Sequence, residues 1–541
     1  MRRRLTAPAI LLVAASLLLA GCIPDVGGGN GGTGGGDDPL PNDDQTLRVL
    51  AGSEVRDMEP LLEQAAAETG VKVVFEYIGT LEGTELVASG GAAGKYDATW
   101  FPNNRYLSLL PGASSAITSS VKIMTSPVVL GLDSEVASDL GWDVAAPTWA
   151  GIAAAAADLQ FTYGMTNPAA SNSGFSALVA VATALSGTGS ALTAQDIESV
   201  TPGLTDFFSA QRLTAGSSGF LADRFIESPE LVDGIINYES VLMGLDTGGT
   251  PLTLVTPTDG VVTSDYPLTL LSSAEASKRP LFEELTHWLT TPEVQQQIVQ
   301  DTHRRPGIPG VDTGDEFPDT ILFETPFPNT LDVANTLIST YLETVRSPAQ
   351  TLFVLDTSGS MEGDRIESLK QALKNLAGAD ESTAGGFAAF RSRERVTLIA
   401  FDEVVYEPDI IEVPDEGKDA ALRQIRNLAD TLSAGGGTAI YDALEQAYEL
   451  ALEQSEENPD TFVSIVLMSD GENTDGDTFA DFKEFYLDLD EDARTIPTYA
   501  VLFGDANTAE MEALAELTGG RVFDAVNGDL AGAFQEIRGY Q

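Results

Sequence analysis

The run from Thr351 to Ser360 constrains the fold of this chain more than any other stretch. It reads TLFVLDTSGS, an apolar segment followed abruptly by acidic and hydroxyl side chains. The apolar part is typical of a strand buried on both faces of a sheet, and ligands of open α/β sheets bind at the carboxyl ends of such strands. Asp356, Ser358 and Ser360 offer only oxygen atoms, which suit a hard cation such as Mg²⁺ or Mn²⁺ and suit zinc poorly. The sequence therefore predicts a divalent-cation site at the end of a buried strand.

Two later stretches provide residues that would complete such a site. A glycine-rich loop, residues 433–437, ends at Thr438 just before a predicted helix over residues 440–454. Its glycines allow the backbone to come close to a bound ion. A second buried-strand pattern over residues 461–468 ends in a serine and Asp470. Because ligands of an open α/β sheet gather at the carboxyl ends of its strands, we expect these residues to lie beside the first loop.

These residues resemble the metal-ion-dependent adhesion site of von Willebrand factor A domains. Asp356, Ser358 and Ser360 stand in the order D-x-S-x-S, Thr438 follows glycines, and Asp470 stands in S-D-G. The resemblance implies that the first three residues and the threonine coordinate Mg²⁺ or Mn²⁺, directly or through water. It also implies that the second aspartate acts through water and that a partner protein's carboxylate fills the open position. The alternatives are a nucleotide- or phosphate-binding α/β domain and an A domain without metal, although no P-loop or dinucleotide-binding glycine pattern follows either strand.

The rest of this C-terminal region predicts a doubly wound sheet. Asp402 ends one of its strands near the presumed metal edge, where it would either tune the site indirectly or cap a loop. The further predicted helices span residues 364–376, 417–432 and 508–517, and the further predicted strands span residues 395–402, 495–503 and 521–523.

The first 45 residues predict a processing signal and a tether. Three arginines precede an apolar stretch over residues 7–20, and the sequence LAGC ending at Cys22 resembles the lipobox of bacterial lipoproteins. Cys22 is the only cysteine of the chain. We therefore predict a lipoprotein signal peptide over residues 1–21 and lipidation of Cys22, which anchors the chain to the extracytoplasmic face of the cell membrane. A secretory signal peptide with a spare cysteine is the alternative, and the glycine-rich residues 22–45 are predicted to be a flexible tether.

Residues 46–346 predict a two-lobed α/β module. Strands and helices alternate from residue 47 to residue 100, which is typical of a parallel sheet with a cleft at its carboxyl edge. Residues 125–132 are predicted to cross into a second lobe, and residues 264–268 to return to the first. The order of these pieces resembles bacterial extracellular solute-binding proteins of the periplasmic type.

That resemblance implies a ligand cleft between the lobes. Each residue that it implies has a structural alternative. Ser53 and Ser173 could be helix caps, Trp100 and Tyr238 could be core residues, and Ser126 could be the start of a strand. The ligand is expected to be a small polar solute, either an oxyanion bound by hydroxyl and backbone N–H groups or a neutral molecule. The implied ligand residues are Ser53, Trp100, Ser126, Ser173 and Tyr238.

Charge and histidine content restrict the function further. The chain has 82 acidic and 29 basic residues, a formal net charge of −53, which argues against nucleic acid or an anionic membrane surface as partner. A solvated surface of a salt-adapted organism would have the same composition. His287 and His303 are the only histidines, and neither is placed to act as general base for Ser358. We therefore expect a binding protein and not an enzyme.

The predicted protein is thus an α/β lipoprotein in four parts. They are a signal peptide (1–21), a lipidated tether (22–45), a two-lobed periplasmic-binding-like module (46–346) and a doubly wound, Rossmann-like von Willebrand factor A domain (347–541). The leading functional hypothesis is cation-dependent binding of a protein carboxylate, in adhesion or in assembly of an envelope complex. The alternative is a solute receptor of a transport or sensing system with the A domain as docking arm.

Overall fold

The computed structural model describes residues 43–539 except for short gaps. The predicted signal peptide, Cys22 and most of the predicted tether lie outside the described residues, so these remain predictions. The gaps are residue 250, residues 318–320, residue 381, residues 459–460, residue 471, residues 491–492, residues 504–507 and residues 525–529.

Strands and helices alternate along most of the described chain. In chain order the strands before residue 347 are β1 (Thr46–Ala51), β2 (Lys72–Tyr77), β3 (Ala98–Trp100), β4 (Ile117–Lys122), β5 (Met124–Asp133), β6 (Tyr163–Thr166), β7 (Gln211–Ala215), β8 (Gly234–Tyr238), β9 (Leu252–Val255), β10 (Thr263–Ser264), β11 (Pro267–Leu271) and β12 (Arg305–Pro306). The later strands are β13 (Ala349–Asp356), β14 (Glu394–Phe401), β15 (Asp409–Val413), β16 (Phe462–Ser469), β17 (Thr498–Leu502) and β18 (Val522–Asp524).

The helices fall into the same two groups. Before residue 347 they are α1 (Glu59–Thr69), α2 (Thr80–Ser89), α3 (Arg105–Leu109), α4 (Ala113–Ala116), α5 (Ser134–Asp139), α6 (Trp149–Ala157), α7 (Asn172–Ser186), α8 (Ala194–Phe208), α9 (Ser218–Glu227), α10 (Glu239–Met243), α11 (Lys278–Leu289), α12 (Pro292–Thr302) and α13 (Leu331–Thr340). The later helices are α14 (Asp364–Lys374), α15 (Thr383–Ala388), α16 (Lys418–Thr431), α17 (Ile440–Glu457), α18 (Phe479–Asp488), α19 (Thr508–Thr518) and α20 (Leu530–Gly539).

The first lobe is built on a five-stranded sheet in the order β2-β1-β3-β11-β4. β1 runs parallel to β2 and β3, whereas the returning strand β11 is antiparallel to β3 and β4. Leu47 and Val49 of β1 share one buried core with Leu61 of α1 and Phe282 of α11. Helices therefore cover this sheet, and the carboxyl ends of its parallel strands form an edge at which a ligand can bind.

The second lobe starts where β5 leaves the first. β5 pairs with β12 and β10 near its start and with β8 and β9 further along, in a sheet with the path β10-β5-β8-β6-β7. α7 lies in the core of this lobe, and every residue from Asn172 to Thr183 is buried. Its first turn is polar yet buried, and the Ser173 hydroxyl is hydrogen-bonded to Thr166 Oγ1 at 2.8 Å.

The C-terminal part is a doubly wound sheet in the order β15-β14-β13-β16-β17-β18. All pairs are parallel except β14 with the edge strand β15. β13 lies inside the sheet, and all eight of its residues are buried, as the apolar run predicts. Leu369 and Ile425 belong to the core on one face of the sheet, and Leu444 and Phe482 belong to the core on the other. The predicted fold class is confirmed.

The second lobe and the C-terminal sheet share part of their core. Leu221 and Phe225 of α9 lie in one buried cluster with Phe534 and Ile537 of α20. A side-chain hydrogen bond adds to this contact, because Asn167 Nδ2 donates to the Arg538 carbonyl at 3.2 Å. In the part of the chain that the structure describes, no helix is both long and apolar enough to cross a membrane.

Candidate functional site

The ends of β13 and β16 lie side by side, so Asp356 and Ser469 are neighbours. Asp356 is fully buried, and both of its carboxylate oxygens accept hydrogen bonds. Oδ1 accepts from the Ser358 N–H at 2.8 Å, and Oδ2 accepts from the Ser469 hydroxyl at 2.6 Å. Burial raises the pKa of Asp356; these hydrogen bonds act against it, and the nearby charge of Asp470 adds to it. The carboxylate is thus held in one orientation by groups from two strand ends.

The loop after β13 is joined to the glycine-rich loop before α17. Ser358 Oγ and Ser360 Oγ are 2.9 Å apart, and the Gly359 N–H donates to the Gly436 carbonyl at 3.1 Å. Gly436 has a φ of +83°, and a Cβ added there would lie 1.8 Å from Glu403 Oε2. A glycine is therefore required at position 436, because a side chain would be strained and would collide with Glu403.

The glycine-rich loop carries Thr438 to the same edge of the sheet. Thr438 is almost completely buried, and its N–H donates to Thr474 Oγ1 at 2.9 Å. Its carbonyl accepts from the N–H groups of Thr474 and Asp475. The loop after β16 therefore fixes the backbone of Thr438, which is the hydroxyl ligand predicted from the glycine-rich loop.

Asp470 lies at this edge in contact with a guanidinium group. Arg365, near the start of α14, donates from Nη1 to Asp470 Oδ2 at 2.8 Å and to the Ser360 carbonyl at 3.1 Å. The other oxygen, Asp470 Oδ1, is buried, and no hydrogen-bond partner for it lies among the described residues. Two carboxylates and one guanidinium thus meet here, which leaves one excess negative charge.

The donor chemistry of this cluster fits a hard divalent cation. Asp356, Ser358, Ser360, Thr438 and Asp470 provide only carboxylate and hydroxyl oxygens, and Mg²⁺ is usually held by one or two carboxylates with further oxygen ligands. The described residues contain no group of three or more His, Cys, Asp and Glu side chains placed to hold a metal. A cation at this edge would therefore depend on the hydroxyl groups and on water.

Asp402, for which the sequence left two roles open, caps its own loop. Its Oδ1 atom accepts from the Val404 N–H at 3.0 Å, and its Oδ2 atom accepts from the Tyr406 hydroxyl. The neighbouring Glu403 accepts from the Gly437 N–H at 2.9 Å. Both acids thus hold the loops that border the cluster.

The implied solute residues occupy different environments. Ser53 opens a short 3₁₀ helix after β1 and is half-buried. Trp100 is fully buried in the core of the first lobe, where its indole N–H donates to the Tyr266 carbonyl at 3.0 Å. Ser173 is buried at the start of α7, and its hydroxyl lies 2.8 Å from Ser218 Oγ. Trp100 and Ser173 therefore pack within their own lobes.

Ser126 and Tyr238 lie together where the lobes meet. Ser126 pairs with Ser264 across β5 and β10, and its hydroxyl accepts from the Ser240 N–H at 3.0 Å. Asn172 Nδ2 donates to the Tyr238 hydroxyl at 3.0 Å and to Ser264 Oγ at 3.2 Å. The structure thus brings Ser126 and Tyr238 into one buried polar network.

Asn103 connects this network to the first lobe. Its Nδ2 atom donates to Asn172 Oδ1 at 2.9 Å, and both asparagines are buried. The Asn172 side chain therefore forms hydrogen bonds to the first lobe, to β8 and to β10. Neither Asn103 nor Asn172 is among the residues predicted from the sequence, although Asn172 stands beside the predicted Ser173 at the start of α7.

Family models match two parts of the chain. Residues 352–537 match the model of the von Willebrand factor type A domain, and residues 47–302 match the model described as bacterial extracellular solute-binding protein. Both are families of binding domains. Residues 47–302 are thus similar to a solute-binding domain and residues 352–537 to a von Willebrand factor A domain.

Curated relatives match a short stretch of the chain. Inter-alpha-trypsin inhibitor heavy chain H4 of Homo sapiens is 32% identical over 136 residues, which is 24% of this chain and 13% of that protein. An uncharacterized protein of Synechocystis sp. is 32% identical over 132 residues, which is 24% of this chain and 27% of that protein. The chain thus spans only a minor part of the length of these relatives.

Solved structures of periplasmic binding proteins are also similar to this chain. AfuA from Actinobacillus pleuropneumoniae has 12% identity and a TM-score of 0.45 and covers 56% of this chain and 98% of its own. The sulfate-binding protein SubI from Mycobacterium tuberculosis has 17% identity and a TM-score of 0.40 and covers 54% of this chain and 96% of its own.

Proposed function

We propose that this protein is a lipid-anchored extracytoplasmic binding protein whose A domain uses Mg²⁺ or Mn²⁺ to bind a carboxylate of a protein partner. The observation that supports this function is the meeting of Asp356, Ser358, Ser360 and Asp470 at one sheet edge. They are joined there by hydrogen bonds of their own and through Arg365. The anchor, lipidated Cys22, is part of the proposal and rests on the sequence alone.

Charge makes the predicted interaction depend on the cation. The excess negative charge at the cluster and the adjacent carboxylate of Glu403 would repel an approaching carboxylate. A bound divalent cation supplies a positive charge and an open coordination position for the partner's oxygen. Without the cation the same surface should reject the partner, so affinity should fall strongly in a chelator.

This chain's residues hold and orient the oxygen ligands. Asp356 is fixed by Ser358 and Ser469, which reduces the freedom lost on binding an ion. Asp470 keeps one buried oxygen without a partner, and this oxygen is available to an ion or to its water. The partner's residues would add specificity around that contact.

Affinity capture from envelope extract tests the proposal. The full-length protein is used as bait in Mg²⁺ and in EDTA, and the variants Asp356→Asn and Asp470→Asn are used in Mg²⁺. Asparagine keeps the shape of the carboxylate, whereas alanine at position 356 would leave two donors unpaired. Asp419→Asn, on the exposed face of α16, removes one charge far from the cluster and is the matched control.

A partner retained by the wild type and Asp419→Asn in Mg²⁺, but lost in EDTA and with both site variants, would support the function. A partner bound equally in all conditions would contradict it. No retained partner in any condition would also count against it and would give weight to the solute-binding domain.

A second candidate function is that of a solute receptor. The buried polar network of Asn103, Asn172, Tyr238 and Ser264 favours it, because the network joins polar side chains of both lobes. A thermal-shift screen of the full-length protein against a broad metabolite panel tests this function. Failure of every metabolite to raise the melting temperature would contradict it.

A further inference from the structure

Four buried polar atoms without a well-aligned hydrogen bond lie around the meeting point of the lobes. They are Glu54 Oε2, Ser240 Oγ, Tyr266 Oη and Arg304 Nε; Tyr266 and Arg304 interact with each other, whereas no partner for Glu54 Oε2 or Ser240 Oγ lies among the described residues. Ser240, Tyr266 and Arg304 are at most 3% exposed. Buried polar atoms are nearly always satisfied in native proteins, so such a group indicates that a ligand or water completes the site.

Glu54, Arg304, Tyr238 and Tyr266 belong to one cluster. The Arg304 guanidinium carbon lies 4.9 Å above the Tyr266 ring, and Arg304 Nη2 donates to the Glu54 carbonyl at 2.5 Å. The Tyr238 and Tyr266 rings lie 6.0 Å apart at 60°. Burial, and then the neighbouring Glu54 charge, raise the pKa of the Tyr238 hydroxyl. Glu54 of the first lobe is thus close enough to the aromatic pair for its charge to act on the Tyr238 hydroxyl.

The charges of the cluster do not balance. Arg304 donates to the carboxylate of Asp57. Arg305 forms two hydrogen bonds to the carboxylate of Glu239, of 2.7 and 3.0 Å. Each guanidinium therefore has its own carboxylate, and Glu54 is the one carboxylate of this group left over.

We propose that the solute cleft binds a small organic cation beside the Tyr238 and Tyr266 rings, with the Glu54 carboxylate as its counter-ion. A cation is attracted both by a carboxylate and by the face of an aromatic ring. Arg304 already shows this mode of binding, since its guanidinium lies over Tyr266 and pairs with Asp57. The inference rests on the second function proposed above, solute binding, and specifies its ligand class.

An oxyanion fits this cluster less well. The guanidinium groups that would bind it already pair with carboxylates, and an anion beside Glu54 would be repelled in a region of low dielectric. The ligand class inferred from the structure therefore differs from the oxyanion or neutral solute expected from the sequence.

Thermal shift of the full-length protein tests the ligand class. The probes are choline, putrescine and spermidine as cations, sulfate and phosphate as anions, and glucose as a neutral solute. We expect at least one cation to raise the melting temperature of the wild type. Glu54→Gln should weaken that cation's binding by roughly tenfold or more, since a charged partner is lost. Glu63→Gln, an exposed carboxylate on α1, should leave it unchanged.

A second readout does not depend on choosing the correct cation. Glu54→Gln replaces an unpaired, desolvated carboxylate with a neutral amide, so the variant without ligand should melt about 2 °C or more above the wild type. A carboxylate with a purely structural role would instead lower the melting temperature when replaced. Such a decrease would overturn the inference.

The probe outcomes separate the ligand class from solute binding itself. Stabilisation by sulfate, phosphate or glucose, without an effect of the cations, would overturn the inference and leave solute binding intact. The absence of a shift with every probe would overturn the inference and also count against solute binding. A cation-induced shift that Glu54→Gln removes and Glu63→Gln retains would support it.

Discussion

Arg365 donates a hydrogen bond of 2.8 Å to the carboxylate of Asp470 at the sheet edge where the predicted metal ligands meet. The same guanidinium contacts the Ser360 carbonyl at 3.1 Å. A divalent cation held by the cluster would need the negative charge that Arg365 now neutralises. Arg365 and the cation are therefore expected to compete for Asp470.

We predict that Arg365→Gln raises the affinity for Mn²⁺. Arg365 is 38% exposed, so solvent screening limits the gain to about 1 kcal/mol, roughly fivefold in affinity. Isothermal titration of the full-length protein with Mn²⁺ measures this. Lys370→Gln removes a positive charge from the same helix, where Lys370 pairs with Glu367, and should have little effect. Unchanged or weaker Mn²⁺ binding by Arg365→Gln would show that Arg365 orients Asp470 and does not compete with the ion.

Gly436 should be the sensitive glycine of its loop. Its φ of +83° and the collision of an added Cβ with Glu403 predict that Gly436→Ala destabilises the protein by about 1–2 kcal/mol. A Cβ added at the adjacent Gly435 meets no atom within 4 Å, so Gly435→Ala should change stability by less than about 0.5 kcal/mol. Denaturant unfolding of both variants measures the difference. Equal effects would contradict the conformational requirement at position 436.

Glu394 is expected to stabilise the junction between the two parts of the chain. Its carboxylate accepts hydrogen bonds from Arg538 at 2.7 Å and from Arg346. Glu394→Gln would leave two buried guanidinium groups without their carboxylate, at a cost of about 3–5 kcal/mol. Glu412→Gln, which removes an exposed partner of Arg395 on the neighbouring strand, should cost less than about 1 kcal/mol. Similar unfolding midpoints for both variants would contradict this role.

The same group predicts a pH dependence. Burial alone would raise the pKa of Glu394, but the guanidinium groups of Arg538 and Arg346 outweigh it and hold the pKa below its ordinary value of 4.5. Stability from this carboxylate is therefore present above pH 4.5 and is lost as the pH falls through the lower folded-state pKa. The stability difference between wild type and Glu394→Gln should shrink in that acid range. A constant difference would be contrary evidence.

Glu54 should make stability depend on pH in the opposite direction. Burial raises the pKa of Glu54 above its ordinary value of 4.5, so ionisation of Glu54 costs more in the folded protein than in the unfolded chain. Wild-type stability should fall as the pH rises from 4.5 through the folded-state pKa. The excess melting temperature of Glu54→Gln should appear over that range and be absent below pH 4.5. Melting curves of the two proteins at matched pH values measure it.

The sequence predicts most of the fold because the apolar runs match buried strands closely. The run before Asp356 is an interior strand, and its polar end lies at the ligand edge of the sheet. Asp356, Ser358 and Ser360 lie within five positions of one another, so the sequence alone could predict them as parts of one site. That they and Thr438 bind a metal stays a prediction.

The charge partners of both sites could not be read from the sequence. Arg365 meets Asp470 across 105 positions of the chain, and Arg304 meets Asp57 across 247. Nothing near Glu54 in the sequence indicates that its carboxylate is desolvated, because this burial arises only in the folded protein. Trp100 is predicted from the sequence as a ligand residue but lies in the core. An aromatic residue at the end of a strand can either line a ligand site or pack in a core, and the sequence does not distinguish the two.

Calorimetric titration of the full-length protein with Mn²⁺ tests the central claim most directly. The experiment compares the wild type with Asp356→Asn, Asp470→Asn and the control Asp419→Asn. We predict saturable binding to the wild type and the control, and loss of binding in both site variants. Absence of binding to the wild type, or equal binding by the site variants, would contradict a cation site formed by Asp356, Ser358, Ser360, Thr438 and Asp470.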